Sequence, residues 1–337
     1  MAVAVCEEGC LVGHPSRKCR KRKGLRGRLF AQRAKTILNP FFLSSYIRAD
    51  IVREKVPLID HTGISLYLES FKVDDGQKKL PLLMVHGLTY SSHEFDVDYK
   101  DYSLVRFLAK SGYEVWLLDI AGYGRSQQVE DGFMTNSDYA AENLVYAARK
   151  ILSLRGGDRI DLFGWSWGGL VASKFAIKYP RLLRKLVLYA PLTFGLKEKA
   201  VDFPFINNTW AHAADDFQLS SDGKLDLDIT EPSVVDLYVS NCRRYDRDVC
   251  PNGGRREVLI SPHKNLFDAG AIKAPTLILG GTNDQYCSVE NCKYTYSHLG
   301  DENSKFVIFD GASHMMMIEK PYYRSFRQHV VDFLLFS

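Results

Sequence analysis

The run Phe163-Gly164-Trp165-Ser166-Trp167-Gly168-Gly169 limits the fold of this chain more than any other stretch. It follows the apolar residues 160–163 and precedes an amphipathic run over 170–179, so a buried strand has to turn sharply into a helix here. Gly164, Ser166 and Gly168 spell Gly-X-Ser-X-Gly, the elbow that carries a nucleophilic serine when it joins a strand to a helix. The turn forces the serine into strained dihedrals, and neighbours without a Cβ let strand and helix come close. The helix behind it directs unpaired N–H groups and the positive end of its dipole at the hydroxyl, where negative charge would develop.

The rest of the chain supplies a setting for that turn. Residues 51–58 and 64–71 read as an antiparallel hairpin around Asp60-His61-Thr62-Gly63, at one sheet edge. The apolar runs 80–85, 113–118, 160–163, 185–190, 276–279 and 305–309 read as strands buried on both faces. Helical patterns separate them, at 102–110, from a Thr135/Asp138 capping box onward, after the elbow, before Leu299 and over 321–336. Strands alternating with helices imply an α/β architecture: a mainly parallel, doubly wound sheet flanked by helices.

Between 192 and 273 the alternation lapses, and only one helix start, at Thr230-Glu231-Pro232, is legible. This segment reads as a cap inserted into a core made of 37–191 and 274–337. Residues 1–36 form a basic arm, with ten Lys/Arg against Glu7 and Glu8. The arm therefore carries +8 of a total of +4, which leaves −4 on the remainder. A mildly acidic folded part argues against a nucleic-acid groove, so the arm is expected to be a solvated tail with at most weak contact to an anionic membrane surface. Residues 35–46 read as a leader helix without a legible role.

Seven cysteines, an odd number without tandem Cys-X-X-Cys, argue against a zinc site or a disulfide framework, and a cytoplasmic location with reduced thiols is expected. Export would instead allow the local pairs Cys242/Cys250 and Cys287/Cys292 and a glycan on Asn207-Asn208-Thr209. No apolar run reaches the roughly 18 residues needed to cross a bilayer.

Ligands of such sheets bind at the carboxyl ends of the strands. His86-Gly87, Asp119, Ser166, Asp284 and His314 all fall at those ends. A serine hydroxyl needs a base, and the base an orienting acid. Of nine histidines, His314 alone follows the last strand, in the short loop Asp310-Gly311-Ala312-Ser313-His314. Asp284 ends the preceding strand unit and is favoured as the acid, with Asp310 as its rival. Backbone N–H groups of Leu88 and Trp167 are expected to form the oxyanion hole. His86, Asp119 and Arg125 read as loop-fixing residues. Trp165, Phe203 and Trp210 are candidates for the substrate pocket.

The order Ser166, Asp284, His314, the elbow and the inserted cap together resemble the α/β-hydrolase superfamily from about Val52 to Phe336, the basic arm excepted. The resemblance implies an α/β-hydrolase fold and a cofactor-independent serine hydrolase acting on a small-molecule or lipid ester. Serine at the nucleophile position differs from the aspartate of haloalkane dehalogenases and epoxide hydrolases. His86-Gly87-Leu88-Thr89 lacks the His-Gly-Gly-Gly of hormone-sensitive-lipase-like esterases, the Gly-Gly-Pro-Gly of proline iminopeptidases and the Gly-Pro-Gly of ring-cleavage C–C hydrolases. The run 111–117 is loosely similar to acid lipases and to lysophospholipase or monoacylglycerol-lipase-like proteins. A carboxylesterase or lysophospholipase-like activity is therefore expected, with thioesterase, amidase or peptidase, and C–C hydrolase as alternatives, and a non-catalytic ligand-binding protein as the reading from another class.

Overall fold

A computed structural model describes residues 50–336 of the chain. The arm and the leader segment over 35–46 lie outside these residues. Eight strands make one sheet: β1 (Ile51–Ile59), β2 (Ser65–Val73), β3 (Leu80–Val85), β4 (Tyr113–Asp119), β5 (Ile160–Trp165), β6 (Leu183–Tyr189), β9 (Thr276–Gly281) and β10 (Lys305–Phe309). Their spatial order is β1-β2-β4-β3-β5-β6-β9-β10. The β1–β2 and β2–β4 pairs are antiparallel and every other pair is parallel, so the N-terminal hairpin sits at the edge of an otherwise parallel sheet.

The central strands explain their composition. In β4 and β5 every residue is buried, and in β3 only the first is exposed. Helices α1 (Leu104–Lys110), α2 (Ser137–Arg155), α3 (Trp167–Lys178), α6 (Val289–His298) and α7 (Tyr323–Phe336) flank the sheet, with α2 packed on α3 and α1 on α7. Ser103 caps α1 by accepting from the Arg106 N–H. The cap of α2 is Asn136, whose side chain accepts from the N–H groups of Asp138 and Tyr139, in place of the Thr135/Asp138 box expected from the sequence. Thr135 instead faces the interior and donates its hydroxyl to the Ala121 carbonyl.

Residues between β6 and β9 hold the short strands β7 (Phe205–Asn207) and β8 (Val249–Pro251), which pair with each other, and the helices α4 (Pro232–Tyr245) and α5 (Gly253–Val258). Pro232 occupies the first turn of α4, where its missing N–H is not needed. This segment is tied to the sheet side by His93, whose Nε2 lies 2.5 Å from Asp246 Oδ2, and by Tyr238, whose hydroxyl donates to Glu94 at 2.5 Å. No described helix is long and apolar enough to cross a membrane.

The chain turns back between β3 and β5, which are neighbours in the sheet while β4 lies outside β3. That reversal is the switch point at which open α/β sheets offer a crevice above their carboxyl ends. The loop after β3 and the elbow after β5 flank it.

Candidate active site

Ser166 lies between β5 and α3 at φ 59 and ψ −120, in the strained region that the elbow demands. Two glycines make the turn sterically feasible. A Cβ on Gly164 would stand 2.3 Å from the Gly168 carbonyl oxygen, and one on Gly168 would stand 2.4 Å from that of His86. Trp167 is the first residue of α3, so its N–H has no acceptor within the helix and stays free for a ligand. Ser166 itself is held by its N–H, which donates to the Tyr189 carbonyl at 2.9 Å.

His314 and Asp284 meet across the ends of β10 and β9. His314 Nδ1 lies 2.7 Å from Asp284 Oδ2, while the other oxygen of Asp284 accepts from the N–H groups of Tyr286 and Cys287, each at 2.8 Å. Asp310, the rival acid, turns away and accepts from the Thr282 hydroxyl at 3.1 Å. Burial alone would lower the pKa of His314, but the charge of Asp284 and its hydrogen bond outweigh that and raise it above the ordinary value. With Nδ1–H directed to Asp284, the neutral ring keeps the Nε2 lone pair for a proton. The ring is flanked by Trp165, at 5.4 Å between centroids, and edge-on by Tyr286 at 5.1 Å.

The loop carrying His314 is braced from behind. Glu319 accepts from the Ser313 hydroxyl at 2.6 Å, from the Ser313 N–H at 3.2 Å and from Gln218 at 2.9 Å. The Tyr189 hydroxyl donates to the His314 carbonyl oxygen.

The loop after β3 is fixed by its own polar groups. His86 Nε2 accepts from the Ile120 N–H at 3.1 Å, which leaves Nδ1 protonated to donate to the Gly87 carbonyl at 2.8 Å. Burial lowers the pKa of His86, in keeping with a neutral ring that bonds β3 to the end of β4. Asp119 accepts from the Ser92 N–H at 3.0 Å and from Arg125 Nε at 2.9 Å. These three residues occupy loop-fixing positions.

Ser166, His314, Leu88 and Trp165 line one cavity of about 240 Å³. Trp167 does not reach it with its ring, which is fully buried and donates from Nε1 to Glu257 at 2.9 Å. Phe203 and Trp210, expected in the pocket, are absent from its lining. Phe203 is 74% exposed, and Trp210 packs against the core from a 3-10 turn at Trp210–Ala214. Their place is taken by Leu192, Leu196, Val258 and Leu259, which give the cavity apolar walls, and by Glu94, Asp216, Arg255 and Tyr286. Sequence reading passed over these polar residues because Asp216 and Arg255 lie where the strand–helix pattern lapses. Glu94 adjoins His93 in the loop after β3 and could have been noticed as an acid at a strand end. Burial raises the carboxyl pKa of both Glu94 and Asp216, Glu94 far above the usual range.

Among the described residues, two groups of side chains come close enough to share an ion, His93/Cys242/Asp246 and Asp284/Cys287/His314. In each the histidine and the aspartate are bonded to one another. Burial also holds the Cys242 and Cys287 thiols protonated, which weakens them as ligands. The arrangement suits proton transfer better than metal binding.

The chain is similar to several known proteins. The proline iminopeptidase of Saccharolobus solfataricus is 26% identical over 282 residues, covering 77% of this chain and 86% of that protein. Human epoxide hydrolase 4 is 26% identical over 270 residues, covering 73% and 70%. Among solved structures, the monoacylglycerol lipase of Paleococcus ferrophilus superposes with a TM-score of 0.56 at 21% identity, over 85% of this chain and 98% of that one, a likeness of fold. The family model described as serine aminopeptidase, S33, matches residues 76–321. With its sheet and elbow already in view, the chain belongs to this family of α/β hydrolases.

Proposed function

We propose that the protein is a serine hydrolase that cleaves a small carboxylic ester through an acyl-enzyme on Ser166. The observation that carries this reading is the convergence of Ser166 and the Asp284-bonded His314 on one cavity beside Leu88. Ser166 Oγ attacks the carbonyl carbon as His314 Nε2 takes its proton, and the N–H groups of Leu88 and Trp167 hold the oxyanion. His314 then gives the proton to the departing alkoxide, the alcohol leaves, and an ester bond joins the acyl group to Ser166. In the second half His314 takes a proton from water, the hydroxide attacks the acyl-enzyme, and the acid departs as Ser166 regains its proton.

The cavity, at about 240 Å³, is smaller than the roughly 300–1,000 Å³ of sites that take drug-sized ligands, which favours a short substrate over a long acyl chain. Residues 192–273 act in this reading as the cap that selects it, since they supply Asp216, Arg255, Val258 and Leu259 to the wall. Hydrolysis of p-nitrophenyl esters from acetate to palmitate, with Ser166→Ala alongside, tests the proposal. Turnover that peaks at short chains and disappears in the variant supports it, and turnover that survives in Ser166→Ala overturns it.

A second reading, hydrolysis of an amide at a free amino terminus, is favoured by similarity to proline iminopeptidases over three quarters of the chain. Release of p-nitroaniline from prolyl and other aminoacyl p-nitroanilides, faster than hydrolysis of any ester, would move the assignment to it.

A further inference from the structure

Arg255 stands out among the cations of this chain. Apart from it, five arginines are at least partly buried among the described residues: Arg106, Arg125, Arg155, Arg184 and Arg327. Each pairs with a carboxylate at 2.9 Å or closer. Arg255 has no described carboxylate within the 4.0 Å of an ion pair, although it too is partly buried. Its Nη2 donates to the Thr89 hydroxyl and its Nη1 to Cys250 Sγ at 3.3 Å, neither of them a carboxylate. A guanidinium has five N–H donors, so several remain for something else. Arg255 lines the cavity that Ser166 also lines.

A partly buried guanidinium without a carboxylate partner is costly, and a ligand carboxylate would supply the missing charge. The two carboxyls that share the cavity are poor candidates. Glu94 is held protonated by burial and spends one oxygen on the Tyr238 hydroxyl, and Asp216 accepts from the Tyr286 hydroxyl at 2.9 Å on the side of His314. Thr89 adds to the site. Its hydroxyl oxygen accepts from Arg255, which leaves its own proton to donate to the same anion. Thr89 is held at φ 85, a conformation that threonine rarely adopts, directly after Leu88.

We propose that Arg255 and Thr89 form an anion subsite inside the catalytic cavity and that the substrate is accordingly a carboxylate-bearing ester, such as the half-ester of a short dicarboxylic acid. The proposal rests on the ester-hydrolase reading above for the bond that is cleaved, but not for the charge that is bound. Leu192, Leu196, Val258 and Leu259 enclose the short apolar link between the two ends of such a molecule.

The test compares monoethyl glutarate and monoethyl adipate with their carbamoyl counterparts, in which an uncharged amide of the same shape replaces the carboxylate. Wild type is expected to favour the acids by roughly 10- to 100-fold in kcat/KM, the range of a charge-assisted hydrogen-bonded pair. Arg255→Met is expected to lose that preference mainly through KM, Arg255→Lys to keep part of it, and Arg256→Met on the exposed neighbouring position to keep all of it. If Arg255→Met lowers both substrates equally, or wild type prefers the amides, Arg255 merely braces Thr89 and the proposal fails. Calorimetric binding of monoethyl adipate and its amide to Ser166→Ala separates the two readings, because it requires no turnover. Tighter binding of the acid supports the subsite even if no ester is hydrolysed, and equal binding refutes it even if esters are. The Ser166→Ala comparison also decides the matter should Arg255→Met not fold.

Discussion

His314 Nδ1 and Asp284 Oδ2 lie 2.7 Å apart, although the two residues come from different strand ends and are separated by 30 positions. Asp310, only four residues from His314, bonds Thr282 instead. The pairing separates two aspartates that look equivalent in the sequence. Asp284→Asn is expected to reduce kcat by about 10⁴-fold, as loss of the tautomer-fixing acid does in serine proteases with a Ser-His-Asp triad. Asp310→Asn is expected to stay within a few-fold of wild type. Steady-state rates of both variants on one ester check this, and equal losses would move the acid to the wrong strand end.

The same contact sets a pH dependence. In the proposed mechanism His314 has to be neutral to accept the proton of Ser166, and Asp284 raises its pKa above the ordinary value of about 6.5. The rate should therefore climb as pH rises through a midpoint above that value and fall away below it. Asp284→Asn removes the charge that favours the imidazolium, so the residual activity should show a midpoint shifted to lower pH. A kcat/KM profile between pH 5 and 9 for both proteins measures it.

Glu94 gives a stability prediction of opposite character. Its folded pKa is raised by burial, so between the unfolded value of about 4.3 and the folded value the native state binds more protons than the unfolded one. This group's contribution is therefore fully present at acid pH and is lost as pH rises. Glu94→Gln keeps an oxygen for the Tyr238 hydroxyl and carries no charge. The variant should match wild type in Tm near pH 4 and exceed it at pH 8. Thermal melts at the two pH values check the crossing.

Gly168 has no room for a methyl group, since its Cβ would lie 2.4 Å and 2.5 Å from the backbone oxygens of His86 and Val85. Gly168→Ala has to push β3 away from α3, at an expected loss of about 1–3 kcal/mol. Because the displaced strand carries the Leu88 loop, activity should fall further than the population of folded protein. Urea unfolding and ester turnover on the same preparation separate the two effects.

Much of the fold was open to reading because a parallel sheet buries its strands on both faces and writes them as apolar runs. β3, β4 and β5 are of this kind, and the elbow after β5 could be placed from Gly164 and Gly168 alone. The pairing of His314 with Asp284 was legible because polar residues on such sheets gather at the strand ends. The cap of α2 was misplaced by one residue, at Thr135, because a threonine and an asparagine in sequence compete for the same N–H groups and only the backbone path selects Asn136. The polar wall of the cavity was not legible. Arg255 and Asp216 come from a segment whose conformation follows from packing on the sheet, not from a repeating pattern. Phe203 shows the converse, an aromatic side chain at the start of the cap segment that the structure leaves in solvent.

The most direct measurement is the intact mass of the protein after treatment with a fluorophosphonate, followed by peptide mapping. Wild type is expected to take up one equivalent on Ser166, Ser166→Ala none, and Asp284→Asn one equivalent at a much lower rate. Wild type that stays unlabelled while folded, or label that persists in Ser166→Ala, would contradict the assignment of Ser166 as the nucleophile.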